Sequence, residues 1–396
     1  MIDTDTNEAG QPVRILVVDD EPDLEFLIVR KFRQKIKSGE YEFLFAHNGI
    51  EALEVLQKNR DVDMVLTDIN MPEMDGLTLL LQLSHMDVLL KAVIVSAYGD
   101  MENIRTAMNR GAFDFLTKPI DFNDLELTIA KTIEEVRALR KSLHSQDRLR
   151  QLENELQVAR RVQESILPHI FPETGTFRIY AEMIPAKMVG GDFYDFFALD
   201  ENRFGFVVAD VSGKGIPAAF FMAISRTLFK TTATLGLPTS ECMFRVNRVL
   251  ALENNQCMFV TAFYGVLDIR TGELEYCDAG HNTPFLLKAD GEVALLERHG
   301  GIVLGIVQDT PYDSHTIQLA PGDTLFVYTD GVTEAFDPAE NLFTMGRLDT
   351  LLRSETDRAP RSIVAKVFSE VSLHAAGRDQ SDDITCLGIQ YLGEMD

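Results

Sequence analysis

The pattern of apolar and polar residues divides this chain into three parts. From Arg14, short apolar runs (RILVV, YEFLFA, DMVLT, KAVIVSA, FDFLT) alternate with segments of helical spacing: Pro22 to Lys37, Gly49 to Lys58, Leu77 to Leu83, Glu102 to Arg110, and Phe122 onward. Five such strand-helix units over residues 12–122 predict an α/β domain with a parallel five-stranded sheet, helices on both faces and functional groups at the carboxyl ends of the strands. Asp124 to Leu167 then contains no Gly or Pro and is rich in Leu, Glu, Arg and Gln. This predicts one long helix spanning 123–167. Leu125, Ile129, Ile133, Val136, Leu139 and Leu143 form one stripe on it, and Leu149, Leu152, Leu156, Ala159 and Ile166 a second. Polar residues from His144 to Arg148 interrupt the seam, so a phase break is expected there. Such a helix either joins two copies as a coiled-coil homodimer or packs on its own domains. Residues 168–393 mix strand-like runs (Phe204 to Ala209, Thr324 to Thr329, Ile384 onward) with helical segments at Ile216 to Thr234 and Ser240 to Asn254. That is an α+β pattern.

Composition narrows the functional classes. A chain of 396 residues with 45% hydrophobic content has enough material for two or three folded cores. Its formal net charge of −25 argues against broad contact with nucleic acid or an anionic membrane, and no basic helix-turn-helix is present. A phosphorylated partner would have to be attracted locally. Cys242, Cys257, Cys277 and Cys386 make no CxxC pair, as expected for reduced thiols in the cytoplasm. The polar, acidic start lacks the pattern of a signal peptide, and no apolar run reaches the roughly 18 residues of a membrane span.

The chemistry is carried by acids at strand ends. In the first domain these ends bear Asp19, Asp20, Asp68, Ser96 and Lys118. Three acids with a hydroxyl and an amine imply a divalent cation and a phosphoryl group. In the third part, GGDFYD, ADVSGKG, YTDGVTEA and DDIT place Asp192, Asp210, Asp330 and the pair Asp382-Asp383 beside strands and turns. Two carboxylates 4 Å apart repel by about 1 kcal/mol in water and about 4 kcal/mol at an effective dielectric of 20, which a cation would relieve. Oxygen ligands suit Mg²⁺ or Mn²⁺, and no His or Cys cluster offers a zinc site. Gly213-Lys214-Gly215 is not a phosphate-binding P-loop: the required earlier glycine is Val208, and no Ser or Thr follows Lys214. Gly280-His281 has no accompanying nucleophile motif and reads as a turn histidine near the site.

With VVDDE, TDINMPEMDG, SAY and TKP in order and spacing, the first domain resembles the receiver domain of two-component response regulators. That resemblance implies Asp68 as the phosphoacceptor, with Asp19, Asp20, Asp68 and the carbonyl of Asn70 around Mg²⁺. It also implies Lys118 on the phosphoryl oxygens, Ser96 coupling them to an aromatic switch at Phe115, a cis Lys118-Pro119 bond and a histidine kinase as donor. The four acidic motifs resemble, over about residues 155 to 393, the metal-dependent protein phosphatases (the PPM, protein phosphatase 2C-like family) of the SpoIIE/RsbU-type branch.

The phosphatase resemblance implies a β-sandwich flanked by helices, with two Mn²⁺ or Mg²⁺ ions between the sheets sharing one Asp and activating a bridging water, without a phosphoenzyme. By motif match Asp210 is the shared ligand, Asp192 and the carbonyl of Val211 hold one ion, and Asp330 and Asp382 the other. Asp383 stands where eukaryotic relatives carry Asn and ranks below Asp382 as a ligand. Lys187, five residues before Asp192, has the spacing of a phosphate contact, and equally of a solvated surface lysine. ELQVARRVQESILP resembles the helix by which that branch enters its catalytic domain, where helix movements are thought to set the metal site. The implied substrate is a phosphorylated STAS-type anti-sigma-factor antagonist. The alternative is a noncatalytic adaptor that uses the phosphatase fold as a scaffold.

Overall fold

A computed structural model describes residues 12–86, 89–97, 100–252, 254 and 256–393. The chain divides into two compact units, residues 1–151 and 152–396. In the first, strands β1 (Val13–Val18), β2 (Tyr41–Ala46), β3 (Met64–Asp68), β4 (Lys91–Ala97) and β5 (Asp114–Lys118) form a parallel sheet in the order β2-β1-β3-β4-β5. The alternation of side chains sorts its apolar residues onto two faces. Leu16, Val18, Val65 and Ile94 pack under α3 (Gly49–Lys58), α4 (Gly76–Leu83) and α5 (Met101–Asn109). Ile15, Val17, Leu66 and Val93 pack under α1 (Pro22–Lys31) and the start of α6 (Phe122–Ile166). Helix starts are marked in the sequence by Asn48 and Asp75, whose side chains accept the backbone N–H groups of Glu51 and Thr78. The helix expected from Pro22 to Lys37 breaks at Phe32, whose ring packs on Tyr41 and Phe43, and resumes as α2 (Arg33–Lys37).

The long helix α6 is continuous over 45 residues, spanning the expected phase break at residues 144–148. Its first stripe (Leu125, Ile129, Ile133, Val136) is buried in the first unit. Beyond Arg140 the helix is almost wholly exposed until Gln163.

The second unit has four layers. One antiparallel sheet runs in the order β13 (His315–Gln318), β10 (Glu273–Ala279), β9 (Val260–Asp268), β8 (Arg203–Val211), β7 (Phe193–Ala198). The other runs β12 (Val293–Leu295), β11 (Phe285–Leu287), β14 (Thr324–Tyr328), β15 (Ile384–Tyr391), β6 (Phe177–Ile184). Between them, Phe206 and Val208 of the first sheet share a core with Ile179, Val327 and Leu387 of the second. Helices α7 (Ile216–Ala233) and α8 (Thr239–Leu252) cover the outer face of the first sheet through Met222, Phe229 and Val246. Helices α9 (Met345–Ser354) and α10 (Pro360–Ala375) cover the second through Leu348, Leu352, Ile363 and Val367. Among the described residues no helix is long and apolar enough to cross a membrane.

Antiparallel register sends the acids to one end. Phe193 pairs with Ala209, so Asp192 and Asp210 lie at the same edge of the first sheet. Tyr328 pairs with Cys386, which puts Asp330 and Asp382 at the corresponding edge of the second.

One close approach in the first unit limits substitution. A Cβ on Gly76 would stand 2.0 Å from the carbonyl oxygen of Asp68. Gly76→Ala should therefore cost about 1–3 kcal/mol by overpacking. Faster hydrogen exchange over β3, with residues 152–393 unaffected, is the expected outcome.

Candidate functional sites

At the carboxyl edge of the parallel sheet, carboxylate oxygens of Asp19, Asp20 and Asp68 lie within 4.8 Å of one another. The Lys118 ammonium stands 2.6 Å from Asp68 and 3.0 Å from Asp19. Burial lowers the pKa of Lys118, but its bonds to Asp68 and Asp19 outweigh this and raise it. Asp19 is pushed up, chiefly by burial. Ser96 on β4 is fully buried, and its Oγ has no hydrogen-bond partner among the described residues. The N–H of Asn70 faces Asp68 Oδ1 at 3.4 Å. Phe115, on the neighbouring strand to Ser96, is 38% exposed. Lys118-Pro119 is cis. Every residue marked in the sequence for this site is therefore brought to one edge or to the strand beside it.

The second site is a chain of coupled acids. Asp192 is completely buried, and its pKa is driven well above the usual range by burial and then by Asp210 and Asp383. Asp210 is pushed up to about 7, first by burial and then by Asp330, with a hydrogen bond to Asp192 in partial offset. Asp330 rises to about 6 through burial, Glu334 and Asp382. Among the described residues no three of these carboxylates meet the 4.8 Å spacing of the first site. Mutually repelling oxygen donors, with no ion pair from a basic side chain to Asp192 or Asp210 among the described residues, suit hard divalent cations. Gly191 leaves room here, since a Cβ on it would stand 2.8 Å from the carbonyl oxygen of Val211.

Asp382 and Asp383 play different parts. Asp382 pairs with Lys214 at 2.9 Å, and Lys214 also donates to the carbonyl of Ser381. Asp383 turns both oxygens onto backbone: Oδ1 accepts from Ala186 at 2.7 Å and Oδ2 from Gly191 at 2.6 Å. Its carboxylate fastens the segment leading to Asp192. Gly331 closes the same knot, because a Cβ there would lie 2.0 Å from the carbonyl oxygen of Asp383. Lys187 is exposed, with its side chain running past Gly215.

Several residues at this site escaped the sequence reading. Thr329 and Thr385 each donate a hydroxyl hydrogen bond of 2.7 Å to Asp192 Oδ2. They are the threonines of the YTDG and DDIT motifs themselves, in which the sequence reading singles out only the acids. Asp195, buried on β7, pairs with Arg226 of α7 at 2.8 Å. Gln163 of α6 bonds the backbone of Gly190. His281, which the sequence reads as a turn histidine near the site, is buried against Thr261, whose hydroxyl lies 2.9 Å from Nδ1; Thr261 is the register partner of Asp210.

An acidic phosphoryl-type pocket on a parallel α/β sheet, followed by an acid-lined two-sheet sandwich, defines a receiver with an effector domain of the metal-phosphatase type. Residues 15–130 match the response regulator receiver domain family and residues 200–392 the family described as Stage II sporulation protein E. Sporulation initiation phosphotransferase F of Bacillus subtilis (strain 168) is 32% identical over 118 residues, 30% of this chain and 91% of its own. Phosphoserine phosphatase RsbU of the same organism is 30% identical over 184 residues, 46% of this chain and 55% of its own. The SiaA-PP2C domain of Pseudomonas aeruginosa shares the fold at a TM-score of 0.53 and 21% identity, over 61% of this chain and 98% of that one. The chain spans about half the length of the larger curated relatives it matches. It belongs to the response regulators, as a receiver domain fused to a SpoIIE-type (PP2C-like) phosphatase domain.

Two outcomes follow from the charge distribution. Asp210 has a folded pKa above that of an unfolded aspartate, so its ionisation opposes folding, and stability falls as pH rises from about 4 through 7. Asp210→Asn should stabilise chelator-treated protein at pH 8 by roughly 2–4 kcal/mol. Asp383→Ala should destabilise it by about 2–4 kcal/mol, since backbone donors lose their acceptor. Denaturant melts of the two variants would show these opposite signs.

His281 behaves in the other sense: burial lowers its pKa to about 3, so the unfolded chain takes up a proton that the fold refuses. Stability should fall by up to about 1.4 kcal/mol per unit as pH drops from 6.5 toward 3. His281→Gln should flatten that slope in urea melts at stepped pH.

Proposed function

We propose that this chain is a cytoplasmic response regulator whose receiver, phosphorylated on Asp68 by a histidine kinase, controls a Mg²⁺- or Mn²⁺-dependent Ser/Thr phosphoprotein phosphatase. The observation that carries the reading is the row of acids Asp192, Asp210, Asp330 and Asp382 at the facing edges of two sheets, where burial and neighbouring carboxylates raise the first three. A scaffold without catalysis has no use for acids that repel one another in this way.

Mg²⁺ would be held in the receiver by Asp19, Asp20, Asp68 and the Asn70 carbonyl. In the output domain Asp192, Asp210 and the Val211 carbonyl would hold one ion, with Asp210, Asp330 and Asp382 holding the other. When bound, these ions supply Lewis-acid activation of water and neutralise charge on the phosphoryl oxygens. The chain's own residues do the rest. Thr329 and Thr385 orient the Asp192 carboxylate. Asp383 holds the backbone that carries it. Lys187, exposed beside Gly215, is the basic group available to the phosphate of a substrate, and Lys214 balances Asp382. RsbU, a relative over the output region, is named a phosphoserine phosphatase. The proposed substrate is accordingly a phosphoserine or phosphothreonine of a STAS-type anti-sigma-factor antagonist.

In the receiver, Lys118 and Ser96 would engage the phosphoryl group on Asp68, with Phe115 reporting its presence. Exposed Leu143, Leu149, Leu152, Val158 and Val162 on α6 support a homodimer through the helix.

The test is hydrolysis of a phosphoserine protein and of an aryl phosphate by the full chain. Mn²⁺-dependent turnover should fall at least about 10³-fold in Asp210→Asn, given the several kcal/mol that metal activation contributes. Beryllofluoride should change the rate in the wild type and not in Asp68→Asn. Absence of turnover with every phosphoprotein tried would instead support the adaptor reading.

A further inference from the structure

Helix α6 carries a polar residue where its own pattern calls for an apolar one. Leu149, Leu152, Leu156 and Ala159 set a seam in steps of three and four, and the next two seam positions are 163 and 166. Ile166 keeps the pattern, whereas position 163 is Gln163. No residue from 137 to 162 is buried, and Gln163, at 8% exposure, is the first buried residue after Val136. A buried amide left without partners costs about 1–3 kcal/mol for each unmade bond. Gln163 finds both partners on one residue: Nε2 donates to the carbonyl of Gly190 at 2.7 Å, and Oε1 accepts from the Gly190 N–H at 3.0 Å.

Gly190 stands two residues before Asp192 and is pressed against Asp383. A Cβ on it would lie 2.5 Å from Asp383 Oδ2, the atom that accepts from the next residue, Gly191. The segment from 186 to 192 is therefore gripped twice, by Asp383 at the edge of the second sheet and by Gln163 from the helix. We infer that Gln163 is a positioning residue through which α6 sets the backbone ahead of Asp192, a role whose consequence for catalysis rests on the phosphatase reading above. Position 163 is in phase with Leu149 and Leu156, so any turn of the helix that moves their seam moves this amide as well. One residue's step is about 100° around the helix, enough to take the amide off Gly190. Both bonds join one side chain to the backbone of one residue, through the peptide groups on either side of its Cα, so a turn of the helix that carries the amide away breaks both.

The test compares full-length wild type and Gln163→Leu by Mn²⁺ calorimetry and by hydrogen exchange. Loss of a group that orients a ligand typically weakens metal binding about 10- to 100-fold, and a loss of at least about tenfold is expected here. Exchange over 186–192 should quicken while β9 stays protected. Gln163→Glu keeps the acceptor for the Gly190 N–H but gives up the donor, should fall between the two, and carries the comparison if Gln163→Leu does not fold. Beryllofluoride should alter exchange over 186–192 in the wild type; in the variant that response should vanish while the receiver's own response persists. Unchanged Mn²⁺ affinity with unchanged exchange over 186–192 would overturn the inference. Equal loosening of 186–192 and β9 would overturn it too, by showing that Gln163 only stabilises the domain. None of these readouts needs a substrate: a variant that behaves as expected in a chain that hydrolyses nothing would remove the phosphatase reading and leave the positioning role in place.

Discussion

Repulsion between buried carboxylates is the constraint around which the second unit is built. Like charges 4 Å apart cost about 4 kcal/mol at an effective dielectric of 20, and burial adds a desolvation penalty for each ionised group. Asp192 is fully buried and the charge of Asp210 raises its pKa further, while Asp210 is raised by burial and then by Asp330. They stay in place because the backbone beneath them has nowhere to relax. Strands β7 and β8 are paired to their ends, Thr329 and Thr385 hold the Asp192 carboxylate, and Asp383 fastens the approach to it. Most of the domain's packing lies away from this edge, in cores of Phe, Val, Leu and Ile that tolerate an electrostatically unfavourable end.

The receiver meets the same difficulty with a cation of its own. Lys118 neutralises Asp68 and Asp19 from the end of β5, leaving Asp20 exposed to solvent. In the sandwich Lys214 pairs with Asp382 at the rim, and among the described residues no ion pair reaches the deeper Asp192 and Asp210. The two acidic sites thus differ in what an added cation would change. In the first it would join an existing charge balance; in the second it would relieve a repulsion that no ion pair offsets among the described residues.

Helix α6 belongs to both units, and its two ends are held by different physics. The first turns bury an aliphatic stripe, a contact spread over Leu125, Ile129, Ile133 and Val136 that no single bond dominates. The last turns are held in part by one amide on the backbone of one residue, Gly190. Dispersion spread over many atoms resists displacement gradually, whereas paired hydrogen bonds fail within a few tenths of an ångström.

The sequence by itself determined the order of elements and the parallel sheet of the first unit, the long helix and the acids at strand ends, because these depend on short-range periodicity and on turn residues. VVDDE, TDINMPEMDG and TKP even identify which strand ends meet, since a parallel α/β sheet brings all its carboxyl ends to one edge. Period alone could not say that Asp383 grips backbone while its neighbour Asp382 faces Lys214. That choice depends on Ala186 and Gly191, each more than 190 residues away along the chain. Nor could it assign Gln163, which reads as a flaw in an apolar seam until Gly190 is set beside it. Adjacent or periodic residues reveal local structure, but the partner of a buried polar atom is decided by whichever distant segment the tertiary fold brings within hydrogen-bonding range, and only the folded chain settles which one that is.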